Sequence, residues 1–339
     1  MTKLDDYDDD PRLALLIRSA PEVAKLFLYS ADKILSSEWH WLQFLFQRLP
    51  PHPVALKIVE FCSRAEAICR GLGFQYIDTI SAKKNREKNN DDYNAIVQVL
   101  AEILVIDRIF DLSWADGATF EYEPKGKIGK RPEIRVISNC QTYLFEVKAP
   151  SLIDHHNTRG QQPVQLPGRG LPKEGLASLI SKGVVLPRDN PVKDFLISAE
   201  KKFSDFERAG STNILVIVWD DHIYEPITSL VQEKSGLLTD DSFLRDDEDN
   251  AVRFPNIDAV VVIRHLNYFF YGLGEHDLQD RSHLLDFGDD TSMPNVLFPL
   301  DNGRVIPDFV SKGLRALYYG DETISMFAEY TPSDMIFWV

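Results

Sequence analysis

The sequence predicts an α/β fold, and three observations predict it. NILVIVWD over 213–220 and IDAVVVI over 257–263 are near-continuous apolar runs, the pattern of strands buried on both faces. Helical spacing of apolar residues fills 11–71 and 92–110. Between them, KRPEIRVISNCQTYLFEVKAP over 130–150 reads as two short strands joined by a polar turn.

The chain has 339 residues, 44% apolar and 26% charged, the make-up of a globular protein with two or three structural units. No apolar run approaches the roughly 20 residues of a membrane span, so no membrane partner is expected. The start, MTKLDDYDDDP, is acidic and lacks the apolar stretch of a secretory signal. Residues 1–10 read as a disordered acidic tail. Cys62, Cys69 and Cys140 are odd in number and without metal-ligand spacing, which fits a reducing, cytoplasmic setting. The formal net charge is −15, unpromising for a nucleic-acid binder taken whole. Its distribution is uneven: residues 125–202 hold 14 Lys and Arg against 7 Asp and Glu, leaving 23 and 45 elsewhere. A basic segment lies inside an acidic protein.

Taken in order, 11–90 is a helical N-terminal region. Leu13, Leu15, Leu16 and Ile17, then Val23, Leu26 and Phe27, then Trp39, Trp41, Leu42, Phe44 and Leu45 recur at helical spacing, with breaks at Pro50, Pro51 and Pro53. The Trp/Phe group at 39–46 reads as helical core, with a docking surface as the alternative. Residues 81–92 form a polar connection. Asp91 or Asp92 caps the helix at 92–110, where Ala95, Val99, Glu102 and Ile106 make one stripe. Glu102 then lies on an otherwise apolar face. A surface glutamate at the stripe's edge, beside Gln98 and Asp107, is the plainer alternative. A strand at 120–123 and a basic turn at 124–129 lead into Glu133. Residues 151–191 form a basic, Pro/Gly-rich insertion with Arg159, Arg169, Lys173, Lys182 and Arg188 and one short helix at 174–181. An amphipathic helix at 192–209 carries Lys193, Lys201 and Lys202 and stops at Gly210. The core runs over 91–265. Residues 266–339 are a C-terminal α+β extension without a motif, and no internal repeat is present.

The chemistry concentrates at 130–150. Residues two apart on a strand share a face, so Glu146 and Lys148 project together while Phe145 and Val147 face away. Glu133 opens the preceding strand after Pro132. Pairing through the turn Ser138-Asn139-Cys140-Gln141 brings both carboxylates and the ammonium to one spot. Hard oxygen ligands suit Mg²⁺ (or Mn²⁺), with Glu133, Glu146 and the Val147 carbonyl in its shell and Glu102 bound directly or through water. Lys148 orients the attacking water and stabilises negative charge. Lys125, Lys127, Lys130, Arg131, Arg159, Arg169, Lys201 and Lys202 are placed to hold a phosphate backbone. Taken alone, Glu-x-Lys also fits an exposed ion pair on a sheet face.

The order is Glu102 on a helix, Pro132-Glu133 opening a strand, Glu146-Val147-Lys148 on the next strand, then the Lys201-Lys202 helix and NILVIVWD. This order resembles the PD-(D/E)xK nuclease superfamily over about residues 92–220. Glu133 departs from the family's usual Asp and is one methylene longer. The resemblance implies a restriction-endonuclease-like core, a central mixed sheet flanked by helices. It also implies a Mg²⁺- or Mn²⁺-dependent endonuclease acting on DNA in preference to RNA, in defence against foreign DNA or in DNA processing. A homodimer, or a protein partner held by the N-terminal helices or the C-terminal region, fits double-strand cutting. A nuclease fold that binds without cutting is the alternative. Asp154-His155-His156 matches the short signature of DHH phosphoesterases, but that family's upstream strand-borne aspartates have no counterpart here. Asp220-Asp221, after the apolar strand, reads as a turn.

Overall fold

The computed structural model describes residues 18, 20–37, 39–47, 52–83, 90–151, 164–165, 189–272, 278, 280–300, 302, 304–333 and 336–337. The acidic tail, the helix expected at 174–181, Arg159, Arg169 and the Asp154-His155-His156 tripeptide lie outside these residues. The chain divides into two compact units. The first is Met1–Phe110, Phe120–Tyr122 and Asn267–Asp289; the second is Asp111–Thr119, Glu123–Leu266 and Asp290–Val339.

The first unit is mainly helical. Its elements include α1 (Pro21–Leu35), α2 (Gln43–Gln47), α3 (Pro53–Ile68), α4 (Leu72–Ser81) and α5 (Asn90–Phe110). Pro21 and Pro53 open α1 and α3, where a missing N–H costs nothing. Of the aromatic group at 39–46, Phe46 is buried beside Leu42 and Leu45, Trp39 and Trp41 are half-buried and Phe44 is exposed, so the group is only partly core. Phe61 stacks on Phe110 and meets Tyr76 edge-on. The single apolar stripe expected of α5 widens here: Ile96, Leu100, Ala101, Ile103, Leu104, Val105, Ile106 and Ile109 are all buried. Asp107, half-buried on this helix, is paired with Lys57 and Arg64.

A seven-stranded mixed sheet flanked by helices makes this an α/β protein, with strand order β1-β2-β3-β5-β6-β7-β8. The strands are β1 (Thr119–Tyr122), β2 (Ile134–Ser138), β3 (Gln141–Lys148), β5 (Ser211–Trp219), β6 (Ala259–Arg264), β7 (Asn295–Pro299) and β8 (Ala316–Tyr318). β4 (Val164–Gln165) pairs separately with β9 (Ile336–Phe337). β3, β5 and β6 run parallel to one another, while β2 and β7 run antiparallel to their neighbours β3 and β6. All nine residues of β5 are buried, as its unbroken apolar run requires. The stretch after 265 does more than extend the core, because β7 and β8 continue the same sheet.

Three helices of the second unit bear on the site or its core: α6 (Asp189–Phe203), α7 (Tyr224–Val231) and, near the C-terminus, α9 (Asp308–Gly313); α8 (Leu266–Gly272) lies between the last two in sequence. Val192, Leu196, Ala199 and Phe203 of α6 form one buried core with Leu144, Leu215, Ile217 and Ile227. The 4-3-4 spacing of those α6 residues is the stripe that seats the helix on the sheet. α6 ends at Phe203 rather than at the expected Gly210. Beyond it, the Asp205 carboxylate turns away to accept backbone N–H groups of the 126–130 turn, and that binding competes with further helix.

Candidate active site

The site begins as a hairpin. Asn139 and Cys140, at φ 50° and 60°, are the two loop residues between β2 and β3. A two-residue loop with both φ positive matches the strands' right-handed twist. The register sets Ile134 against Phe145 and Ser138 against Gln141. Just before β2, the Glu133 N–H donates to the Phe145 carbonyl at 3.0 Å, so Glu133 and Ile134 both address Phe145. Such two-against-one pairing is how a bulge re-aims a side chain.

The period of two then sorts β3. Tyr143 and Phe145 meet Trp114 on one face, with ring centroids 5.0 and 6.4 Å away. Leu144 points the other way, into the core covered by α6. Glu146 and Lys148 share that face, at the carboxyl end of a strand parallel to β5.

There the structure brings together Glu133, Glu146, Lys148 and one more residue, Lys202 of α6. Glu146 is fully buried, and its Oε1 lies 2.5 Å from Lys148 Nζ and 2.6 Å from Lys202 Nζ. Lys202 Nζ also lies 3.5 Å from Glu133 Oε1. Both lysines meet Oε1 as ion pairs within charge-assisted hydrogen-bonding distance, and Oε2 has no hydrogen-bond partner among the described residues. Two carboxylates and two ammonium groups make the cluster formally neutral, which a buried charge requires. Burial pushes the Glu133 carboxyl up to about 7, and the neighbouring Glu146 adds to the rise; Lys202 and Lys148 pull against both. Burial works to lower the Lys202 ammonium, but Glu146 and Glu133 outweigh it and hold the group above its ordinary value. Lys202 had been expected on the phosphate-binding surface. Its actual place is between the carboxylates, because it follows Ala199 by three residues and precedes Phe203 at the rim of the buried stripe.

The other expected residues differ in exposure. Glu102 is half-buried on α5 of the first unit, one helical turn from the exposed Gln98. The Val147 side chain is buried on the face opposite Glu146. Lys125, Lys127, Lys130, Arg131 and Lys201 are exposed. Asp220 accepts the His222 N–H at 2.9 Å, the turn geometry expected of it.

Sequence reasoning missed Asp205. Its buried carboxylate accepts the N–H groups of Ile128 at 2.6 Å and Lys130 at 2.9 Å, and its carbonyl accepts from Lys127 at 3.2 Å. A Cβ at Gly126 would collide with that carboxylate, so glycine is required there. Asp-Phe after a lysine pair carries no local mark of a partner some 75 residues away in the chain.

Among the described residues no group of three or more His, Cys, Asp or Glu side chains has the arrangement to hold a metal unaided. The donor set still fits Mg²⁺ or Mn²⁺: two hard carboxylates, one with a buried oxygen lacking a hydrogen-bond partner, suit an ion that keeps several of its waters. No protein-family model, no curated protein and no solved structure matches this chain. The functional reading therefore rests on the cluster itself.

Proposed function

We propose that the protein is a divalent-metal-dependent nuclease of the PD-(D/E)xK type, with a restriction-endonuclease-like core, that hydrolyses phosphodiester bonds in DNA. The observation that carries this is the Glu146 carboxylate. It is fully buried, crowded by two lysines on one oxygen and unpartnered on the other, with Glu133 on the same ammonium. Two ammonium groups balance its charge, but a buried oxygen without a hydrogen bond costs stability that a bound metal ion would offset.

Glu133, Glu146 and the Val147 carbonyl would hold the metal, and when bound it supplies a Lewis acid for the phosphoryl oxygen. The chain's own groups do the rest. Lys148 orients the attacking water and faces the phosphate's developing negative charge. Lys202 balances the paired carboxylates and fixes their separation. The buried α6 face beside Glu146 keeps bulk water from one side, which strengthens each charge interaction. Exposed Lys125, Lys127, Lys130, Arg131 and Lys201 supply contacts to the phosphate backbone.

The second reading is a nuclease-like fold that binds nucleic acid or a protein without cutting. One observation favours it: the Lys202 ammonium already bridges the two carboxylates, as a cation would. Incubation with plasmid DNA, single-stranded DNA and RNA, with Mg²⁺, Mn²⁺ or EDTA, separates the two. Metal-dependent cutting that disappears in Glu146→Ala and Lys148→Ala is the expected result. Cutting that persists in both variants overturns the site, and binding without cutting supports the second reading.

A further inference from the structure

Ile128 is a large apolar side chain left 79% exposed at the tip of the turn 125–131. Lys125, Lys127, Lys130 and Arg131 surround it in sequence, and all four are exposed. Arg131 also reaches Glu123 Oε2 at 3.4 Å. A single exposed isoleucine is ordinary on a protein surface; what sets Ile128 apart is its place among four exposed cations on one turn, a combination that suits a partner with both apolar and anionic groups. The turn is also held. Asp205 accepts from Ile128 and Lys130, Gly126 N–H donates to the Lys130 carbonyl at 3.1 Å, and Gly129 takes a φ of 88°. Asp205 stands three residues after Lys202, so one helix end fixes both the turn and the carboxylate cluster.

We propose that this turn is a wedge for duplex DNA: Ile128 enters between stacked base pairs while the four basic side chains hold the flanking phosphates. Asp205 is its positioning residue. The proposal rests on the nuclease reading for its choice of partner. Apolar side chains partly unstack a base step when a rigid, cationic support drives them into the groove. A single-stranded ligand would call for an aromatic stacking platform, and 125–131 contains no aromatic residue. A membrane surface would call for a broad apolar face, and here one side chain stands alone.

The test uses the full chain in EDTA, where nothing is cut, with a duplex carrying 2-aminopurine. Wild-type protein is expected to raise the fluorescence as the base unstacks. Ile128→Ala, at a position exposed enough to leave folding intact, should abolish the rise and weaken binding about tenfold. Lys127→Ala should keep the rise and reduce the slope of log affinity against log salt by about one. Unchanged fluorescence and affinity in Ile128→Ala would overturn the wedge, as would wild-type preference for single strands or phosphatidylserine vesicles over duplex. Metal-dependent cutting together with an inert Ile128→Ala overturns the wedge alone. A wedge signal without cutting in Mg²⁺ or Mn²⁺ overturns the nuclease reading alone.

Discussion

Asp258 and Glu146 are both fully buried carboxylates in the same unit, and they are treated in opposite ways. Asp258, just before β6, receives both terminal N–H groups of Arg208 and the Asn213 N–H at 2.7 Å. Arg304 comes within 3.9 Å and also donates to the carbonyls of Arg208 and Ser211. That is a planar fork plus a backbone donor, the arrangement that satisfies a buried anion most completely. Glu146 has two flexible ammonium groups on one oxygen and no hydrogen-bond partner on the other. Their locations differ too. Asp258 stands at the amino end of the parallel strands β5 and β6, Glu146 near the carboxyl end of β3. In α/β sheets the carboxyl ends are where ligands bind. The contrast separates a carboxylate that ties loops to the sheet from one that, on the proposed function, is held ready for a metal ion.

The largest stability effect should come from Asp258→Ala. Removing one partner of a buried pair leaves the Arg208 guanidinium uncompensated, at about 3–5 kcal/mol. Urea unfolding should show that loss unchanged by Mg²⁺ or Mn²⁺. A loss below 1 kcal/mol would place Asp258 outside the architecture and remove the comparison's fixed point.

Lys202→Ala comes next. It leaves Glu146 with Lys148 alone and frees Glu133 of its ammonium, costing about 2–4 kcal/mol in metal-free protein. Added Mn²⁺ should restore part of that loss, since a bound cation stabilises the folded state by mass action. Full destabilisation with no response to metal would mean that Lys202 is a structural tie like Arg208.

A smaller effect is expected with pH. The folded Glu133 carboxyl stands near 7, above its ordinary 4.5, so its contribution is fully present below pH 4.5 and is lost as pH rises through 7. In EDTA, wild-type stability should fall relative to Glu133→Gln by on the order of 1–3 kcal/mol between pH 5 and 8. Parallel curves for the two proteins would show that Glu133 is not strained by burial beside Glu146.

Comparable in size is the stability change for Glu146→Gln, a loss of about 1–2 kcal/mol in metal-free protein. The amide leaves Lys148 and Lys202 with one carboxylate between them, but both ammonium groups keep some exposure to water. Nuclease activity should nevertheless disappear.

The same contrast shows what the sequence made legible. The 130–150 hairpin, its turn and the face shared by Glu146 and Lys148 follow from the period of two and from Asn139 in the loop. The buried strands β5 and β6 follow from unbroken apolar runs. Glu133 follows from Pro132 and strand order. The roles of Lys202 and Asp205 depend on how α6 lies across the sheet, a long-range fact that local spacing only hints at. Asp258 fell inside the apolar run 257–263 with nothing to mark its role, because Arg208 and Arg304 are 50 and 46 residues away in sequence. β7 and β8 are short, and neither the pairing of β7 to β6 nor that of β8 to β7 has a local signature. Glu102 was singled out by a stripe that is only part of a helix buried nearly all round.

The central claim is that the Glu146 carboxylate waits for a cation and Asp258 does not. Calorimetric titration of Mn²⁺ into metal-free wild-type protein, Glu146→Gln and Asp258→Asn tests it most directly. Binding to wild type and to Asp258→Asn, with none to Glu146→Gln, is the result expected. Equal binding to wild type and Glu146→Gln, or binding to neither, would contradict it.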